Sequence, residues 1–125
     1  MVQSLNSQAD FHTKANVLQG FSQKHGRILI GDKAVEFYND RNPKDYIQIP
    51  WQEILQVRAQ MYLNDRYIRG FSIDTRQGLT VNLVVQEAGK ALKMMRPYLN
   101  ENKIVRHQPK LSFKSIRSWI EKKIR

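Results

Sequence analysis

The stretch from Gly31 to Ile54, GDKAVEFYNDRNPKDYIQIPWQEI, constrains this chain more than any other. Gly31-Asp32-Lys33 is a short connection where glycine can take a positive φ, and Ala34–Tyr38 beyond it reads as a strand. Asn42-Pro43 opens a turn, and Tyr46–Ile49 is a second strand that runs into Pro50-Trp51. Strands joined so tightly pair antiparallel, and the segments on either side continue the pattern. Phe11, Thr13, Ala15 and Val17 alternate with His12, Lys14 and Asn16; Gly20–Gly26 then turns the chain into Arg27–Ile30. Leu55, Val57, Ala59, Met61 and Leu63 share one face of a strand, and Gln56, Arg58, Gln60 and Tyr62 share the other. One packed face and one wet face is the signature of an antiparallel sheet. Asn64-Asp65-Arg66 turns into Tyr67–Thr75, and Thr75-Arg76-Gln77-Gly78 into Leu79–Val85, with Leu79, Val81, Leu83 and Val85 expected inward.

At Gln86 the period changes. Ala88, Ala91, Leu92, Met95 and Leu99 form one helical stripe, with Glu87 at its start and Lys93 and Arg96 near its end, as the helix dipole favours. Gly89 weakens that helix by about 1 kcal/mol relative to alanine, and Pro97 predicts a kink or a stop. The expected class is α+β and mostly antiparallel β: a bent sheet or partly open barrel of about seven strands, capped by a C-terminal helix. That is the plan of pleckstrin-homology-like domains. A further basic amphipathic helix is expected at the C-terminal end, giving a domain over 1–102 and a basic segment over 103–125.

Composition narrows the classes. The chain has 125 residues, suited to one domain, and its 41% apolar content supplies a core. It has no cysteine, so disulfides, zinc-thiolate sites and thiol catalysis are excluded, in keeping with a reducing cytoplasm. Met1–Asp10 is polar and lacks the apolar core of a secretory signal, and no run approaches the ~20 apolar residues of a membrane-spanning helix. Net charge is +10, and Lys103–Arg125 carries +7 of it, with Glu121 its only acid. Such a segment is drawn to polyanions: acidic lipid, nucleic acid or an acidic protein face.

Gly31-Asp32-Lys33-Ala34, Glu36–Arg41 and Tyr46–Trp51, together with the opening Met1–Asn6, resemble the bacterial domain-of-unknown-function family 956. The resemblance covers nearly the whole chain. It is strongest from Gly31 to Trp51 and weakest from Glu101 onward. It implies a small Gram-positive protein with a pleckstrin-homology-like fold, an accessory or regulator of a mannose-family sugar phosphotransferase system. It brings no catalytic or binding residues with it.

The candidate site is the basic end. Phe113, Ile116, Ile120 and Ile124 fall on one helical arc with Trp119 at its edge. Lys110, Lys114, Arg117, Glu121, Lys122 and Arg125 lie around the rest of the wheel, with Lys123 near the apolar side, and Pro109 suits the first turn. This is the composition of an interfacial or partner-binding helix, for which Lys110, Lys114, Ile116, Arg117, Trp119, Ile120, Lys122, Lys123 and Arg125 are the expected contacts. The simpler reading packs the stripe on the chain's own sheet and leaves the lysines solvated. Each cation near an anionic bilayer contributes about 1 kcal/mol. Nucleic acid ranks second to membrane or protein docking, because Phe113 and Trp119 fall largely on the apolar face and no open stacking platform is evident.

The remaining candidates are weaker. His25, in an expected exposed turn with basic neighbours, has no activating partner as a phosphate acceptor, and His12 and His107 rank lower. Asp32, Asp40 and Asp45 lie near two loops but match no calcium-loop spacing, and aspartate is ordinary in turns. Gly26, Gly31 and Gly78 read as turn residues, not as a phosphate loop. Trp51 shares a side with Ile47 and Ile49 and is expected in the core; Tyr62 and Tyr67 face each other across a hairpin as a docking patch. The expectation is a cytoplasmic, non-enzymatic protein without cofactor. Its partner is either the phosphotransferase transporter's subunits or the anionic inner membrane face, with a nucleic-acid-binding operon regulator as the alternative.

Overall fold

The computed structural model describes residues 3–62 and 67–106; the side chains of Tyr62 and Glu101 are not among them. Eight strands form one sheet. They are β1 (Ala9–Gln19), β2 (Ser22–Gly31), β3 (Ala34–Asn39), β4 (Tyr46–Pro50), β5 (Ile54–Tyr62), β6 (Tyr67–Thr75), β7 (Thr80–Val85) and β8 (Ile104–Arg106). The helix α1 (Ala88–Met95) lies between β7 and β8 in the chain. The strand order is β4-β3-β2-β1-β7-β6-β5-β8, antiparallel throughout except for β8, which runs parallel to β5. The sheet curls into an open half-barrel.

The inner face of that curl is the core. Ala15 and Val17 on β1, Ile28 and Ile30 on β2, and Val35 and Phe37 on β3 face the same interior as Val57, Phe71, Ile73, Leu83 and Val85. The helix closes it with Ala88, Ala91, Leu92 and Met95, and Leu99 follows just beyond. The stripe read from the sequence is therefore the buried one, and α1 stops at Met95, ahead of Pro97. Each large apolar side chain buried here contributes roughly 1.5–3 kcal/mol relative to exposure.

Several local expectations are corrected. The connection after β1 is only Gly20-Phe21, so Gly26 and His25 lie within β2 and not in a turn. Leu55 is exposed and Ile54 is fully buried, because a register shift between Ile54 and Gln56 adds one residue and moves Leu55 off the inner face. Leu79 is also exposed, since it sits in the turn where Thr75 N–H and Oγ1 both donate to the Leu79 carbonyl. Gly31 ends β2 and has no positive φ. A Cβ there would lie 2.4 Å from Asn6 Cγ and 2.5 Å from the Gln8 carbonyl, so the missing side chain makes room for the N-terminal segment.

Candidate functional site

Glu36 is fully buried on β3 without a basic partner among the described residues. Its oxygens accept from Ser4 Oγ, from Leu5 N–H at 2.9 Å, from Asn6 Nδ2 at 2.8 Å, from Tyr38 OH at 2.8 Å and from Gln48 Nε2 at 2.9 Å. Asn6 Oδ1 accepts the Lys33 and Ala34 N–H groups, both at 2.8 Å, and Asp32 Oδ1 accepts those of Ser7 and Gln8. The segments that carry the family resemblance thus meet in one polar clasp that ties residues 3–8 across the β2–β3 hairpin. Trp51 completes it: its indole N–H donates to the Gly31 carbonyl at 3.0 Å, and its ring stacks on Tyr98 at 5.0 Å between centroids. Tyr98 OH in turn donates to Asp10, which raises the phenol above its usual range. Each polar group here is occupied in holding the fold.

The same holds for Asp45 and Asp32, while Asp40 is exposed. Asp45 pairs with Lys24 at 2.7 Å and accepts from Asn39, and both contacts hold its carboxyl below the usual range. The Asp32 carboxyl is held low chiefly by the Gln8 N–H. Among the described residues no three His, Cys, Asp or Glu side chains gather as a metal site. His25 Nδ1 lies 2.9 Å from Asn16 Oδ1, and His12 Nδ1 lies 3.3 Å from Arg27. On the outer face of β5–β7, Arg58 grips Asp74 through two bonds of 2.8 and 3.0 Å, while Gln56 and Thr80 add one each at 2.8 Å.

A groove lined by apolar side chains and cations lies beside α1. It has a volume of about 950 Å³ and runs between α1 and the β5–β8 edge. Ala59, Met61 and Ile68 form its sheet wall, Ile104 and Val105 its far wall, and Leu92 and Met94 its helix wall. Lys90 and Lys93 on α1 and Arg96 just after it stand along the groove, with Arg106 at the β8 end, and no carboxylate is among its described lining residues. Lys90 lies 5.6 Å over the Phe11 ring. The groove exists because β8 adds to the sheet beside β5, with Ile104 opposite Val57 and Arg106 opposite Ala59.

The contact residues expected from the sequence, Lys110, Lys114, Ile116, Arg117, Trp119, Ile120, Lys122, Lys123 and Arg125, lie outside the described residues, as does His107. The chain leads toward them from Arg106, at the end of the groove. Tyr67 is exposed and pairs with Tyr62 in register, whereas Trp51 is buried, as expected of a core residue. Reading the helix as a single buried stripe missed the groove. Met94, apolar but off that stripe, and Gly89, a poor helix former, are the signals that mark it.

Among the described residues no helix is long and apolar enough to cross a membrane. No curated protein matches the sequence. Among solved structures, the chain is similar to the crystal structure of the C-terminal domain of an unknown protein from Leishmania infantum. The TM-score is 0.64 and the identity 15%, over 74% of this chain and 85% of that one, a likeness of fold alone. The family described as Domain of unknown function (DUF956) matches residues 1–118, and the chain belongs to that family.

Proposed function

We propose that this chain is a non-enzymatic docking module of pleckstrin-homology-like build, an accessory of a mannose-family sugar phosphotransferase transporter in the cytoplasm. It rests against the anionic inner face of the membrane beside that transporter. The observation that carries this reading is the run of cations from Lys90 and Lys93 on α1 and Arg96 just after it to Arg106 on β8, itself part of the Lys103–Arg125 stretch that holds +7. A net charge of that size near an acidic bilayer is worth several kcal/mol at about 1 kcal/mol per cation, before any apolar side chain inserts. The acids that would serve chemistry are instead committed: Glu36 to the clasp, Asp74 to Arg58, Asp45 to Lys24 and Asp32 to backbone donors. The link to a sugar transporter comes from the family resemblance, the attachment from the charge.

Co-sedimentation tests it. The full chain is expected to pellet with phosphatidylglycerol-rich vesicles and not with neutral ones, with Trp119→Ala and Ile120→Asp each losing most of the bound fraction. Absence of pelleting at low salt refutes the membrane reading. A shift of operator DNA at moderate salt that survives nonspecific competitor would put a nucleic-acid regulator in its place.

A further inference from the structure

We propose that the groove between α1 and β8 takes up one acyl chain of an anionic glycerophospholipid from the membrane, with Lys93 and Arg96 holding the headgroup phosphate and Lys90 and Arg106 at the ends of the site. This rests on the membrane-docking reading above and gives that surface a specific ligand. Three observations converge on it.

The first is Gly89. It occupies the first turn of α1, where glycine is a poorer helix former than alanine. Its φ is not positive, so the backbone does not require glycine. Packing does not require it either: a Cβ there would have Ile68 Cδ1 at 3.8 Å as its nearest neighbour, an ordinary contact. What the missing side chain leaves is width in the groove, directly across from Ile68 on the sheet wall.

The second is the division of the lining. The walls are apolar, from Met61, Ile68, Leu92 and Ile104, while the charged lining residues are all cations. That division matches a molecule with an apolar body and an anionic end. It disfavours the chain's own C-terminal segment, whose excess of positive charge would be brought beside Lys93 and Arg96. Met61 and Met94 add unbranched, adaptable side chains suited to a flexible guest.

The third is size and place. A volume of about 950 Å³ lies at the upper end of the ~300–1,000 Å³ found for small-ligand sites. The groove's far wall, Ile104–Arg106, belongs to the strongly basic segment, so a chain docked by that segment holds the groove near the lipid from which a guest would come.

The test uses the full chain and dioctanoyl phosphatidylglycerol below its micelle concentration, with methionine methyl groups observed by NMR. The Met61 and Met94 methyls are expected to shift saturably, and dioctanoyl phosphatidylcholine to bind at least tenfold more weakly. Gly89→Leu should reduce affinity at least tenfold without lowering the melting temperature. Lys93→Glu with Arg96→Glu should abolish the preference for the anionic headgroup while leaving the fold intact by amide spectra. No saturable shift, or Gly89→Leu binding like the parent, overturns the proposal. So does movement of the same methyls on Ile116→Asp with no lipid present, which would put the chain's own stripe in the groove. Trp119→Ala separates the two readings, since it should lose vesicle pelleting yet keep the soluble lipid. A parent chain that binds soluble lipid but never pellets upholds the groove and refutes docking; the converse upholds docking and refutes the groove.

Discussion

Glu36 is where a single side chain governs the most structure. All five of its partners donate to it, so Glu36→Gln puts an amide N–H₂ against donors that then have nothing to reach. A loss of about 1–3 kcal/mol is expected, measured by urea unfolding, although the substitution conserves size. Asp74 supplies the pH dependence. Burial pushes its carboxyl up, but the bonds from Arg58, Gln56 and Thr80 outweigh that and hold it below its ordinary value of 3.8. The unfolded chain therefore binds this proton more readily, and the contribution to stability is complete above the ordinary value and lost as pH falls through the lower folded one. Melting temperature should fall with acid below about pH 4, and Asp74→Asn should flatten that part of the profile. The residue pattern disclosed the alternation of Gln56 and Arg58 against Val57. It did not disclose that Arg58 would meet Asp74, because the partner is set by register across two strands.

At the scale of elements, the β2–β3 hairpin and the N-terminal segment act together. Gly31→Ala would press a methyl into Asn6 and the Gln8 carbonyl, both of which belong to the clasp. The expected result is a destabilisation of about 1–3 kcal/mol, with proteolytic cleavage concentrated within residues 3–8, read by mass spectrometry of limited digests. An intact N-terminal segment in that digest would mean the glycine serves some other purpose. Most strands were legible because alternation has a period of two and each is bounded by Gly, Pro, Asn or Asp. Tyr67–Thr75 needed no adjustment at either end. Two ends moved where a bulge, as at Leu55, or a side-chain-bonded turn, as at Leu79, interrupts the period, while β2 begins at Ser22 and not at Arg27 because Gly20-Phe21 alone makes the turn. β8 was not legible: three residues, Ile104, Val105 and Arg106, are too few to show a period, and only pairing with β5 makes them a strand.

For the whole molecule, stability should reside in residues 3–106. On the docking reading, in which the basic end serves the membrane, a chain ended after Arg106 is expected to unfold within about 0.5 kcal/mol of the full chain while failing to pellet with anionic vesicles. A large loss of stability would instead mean that the apolar stripe of residues 113–124 packs on the sheet. Removing residues 1–8 should do the opposite. It strips Glu36 of its donors from Ser4, Leu5 and Asn6 and leaves a buried carboxylate held only by Tyr38 and Gln48. The expected loss is about 3–5 kcal/mol by thermal unfolding, the range for a buried charge deprived of its partners.

The order of the first seven strands and the helix, most of the residues that face the core, and the concentration of charge near the C-terminal end were decided by sequence alone. Periodicity and composition are local properties, and the chain carries them whether or not it is folded. Only the tertiary structure decided that Ser4, Asn6, Glu36 and Gln48 form one clasp, and that α1 and β8 stand apart by the width of a groove. Those arrangements join residues tens of positions apart, and their distances are fixed by how far the sheet curls and where its last strand attaches, which no local pattern encodes.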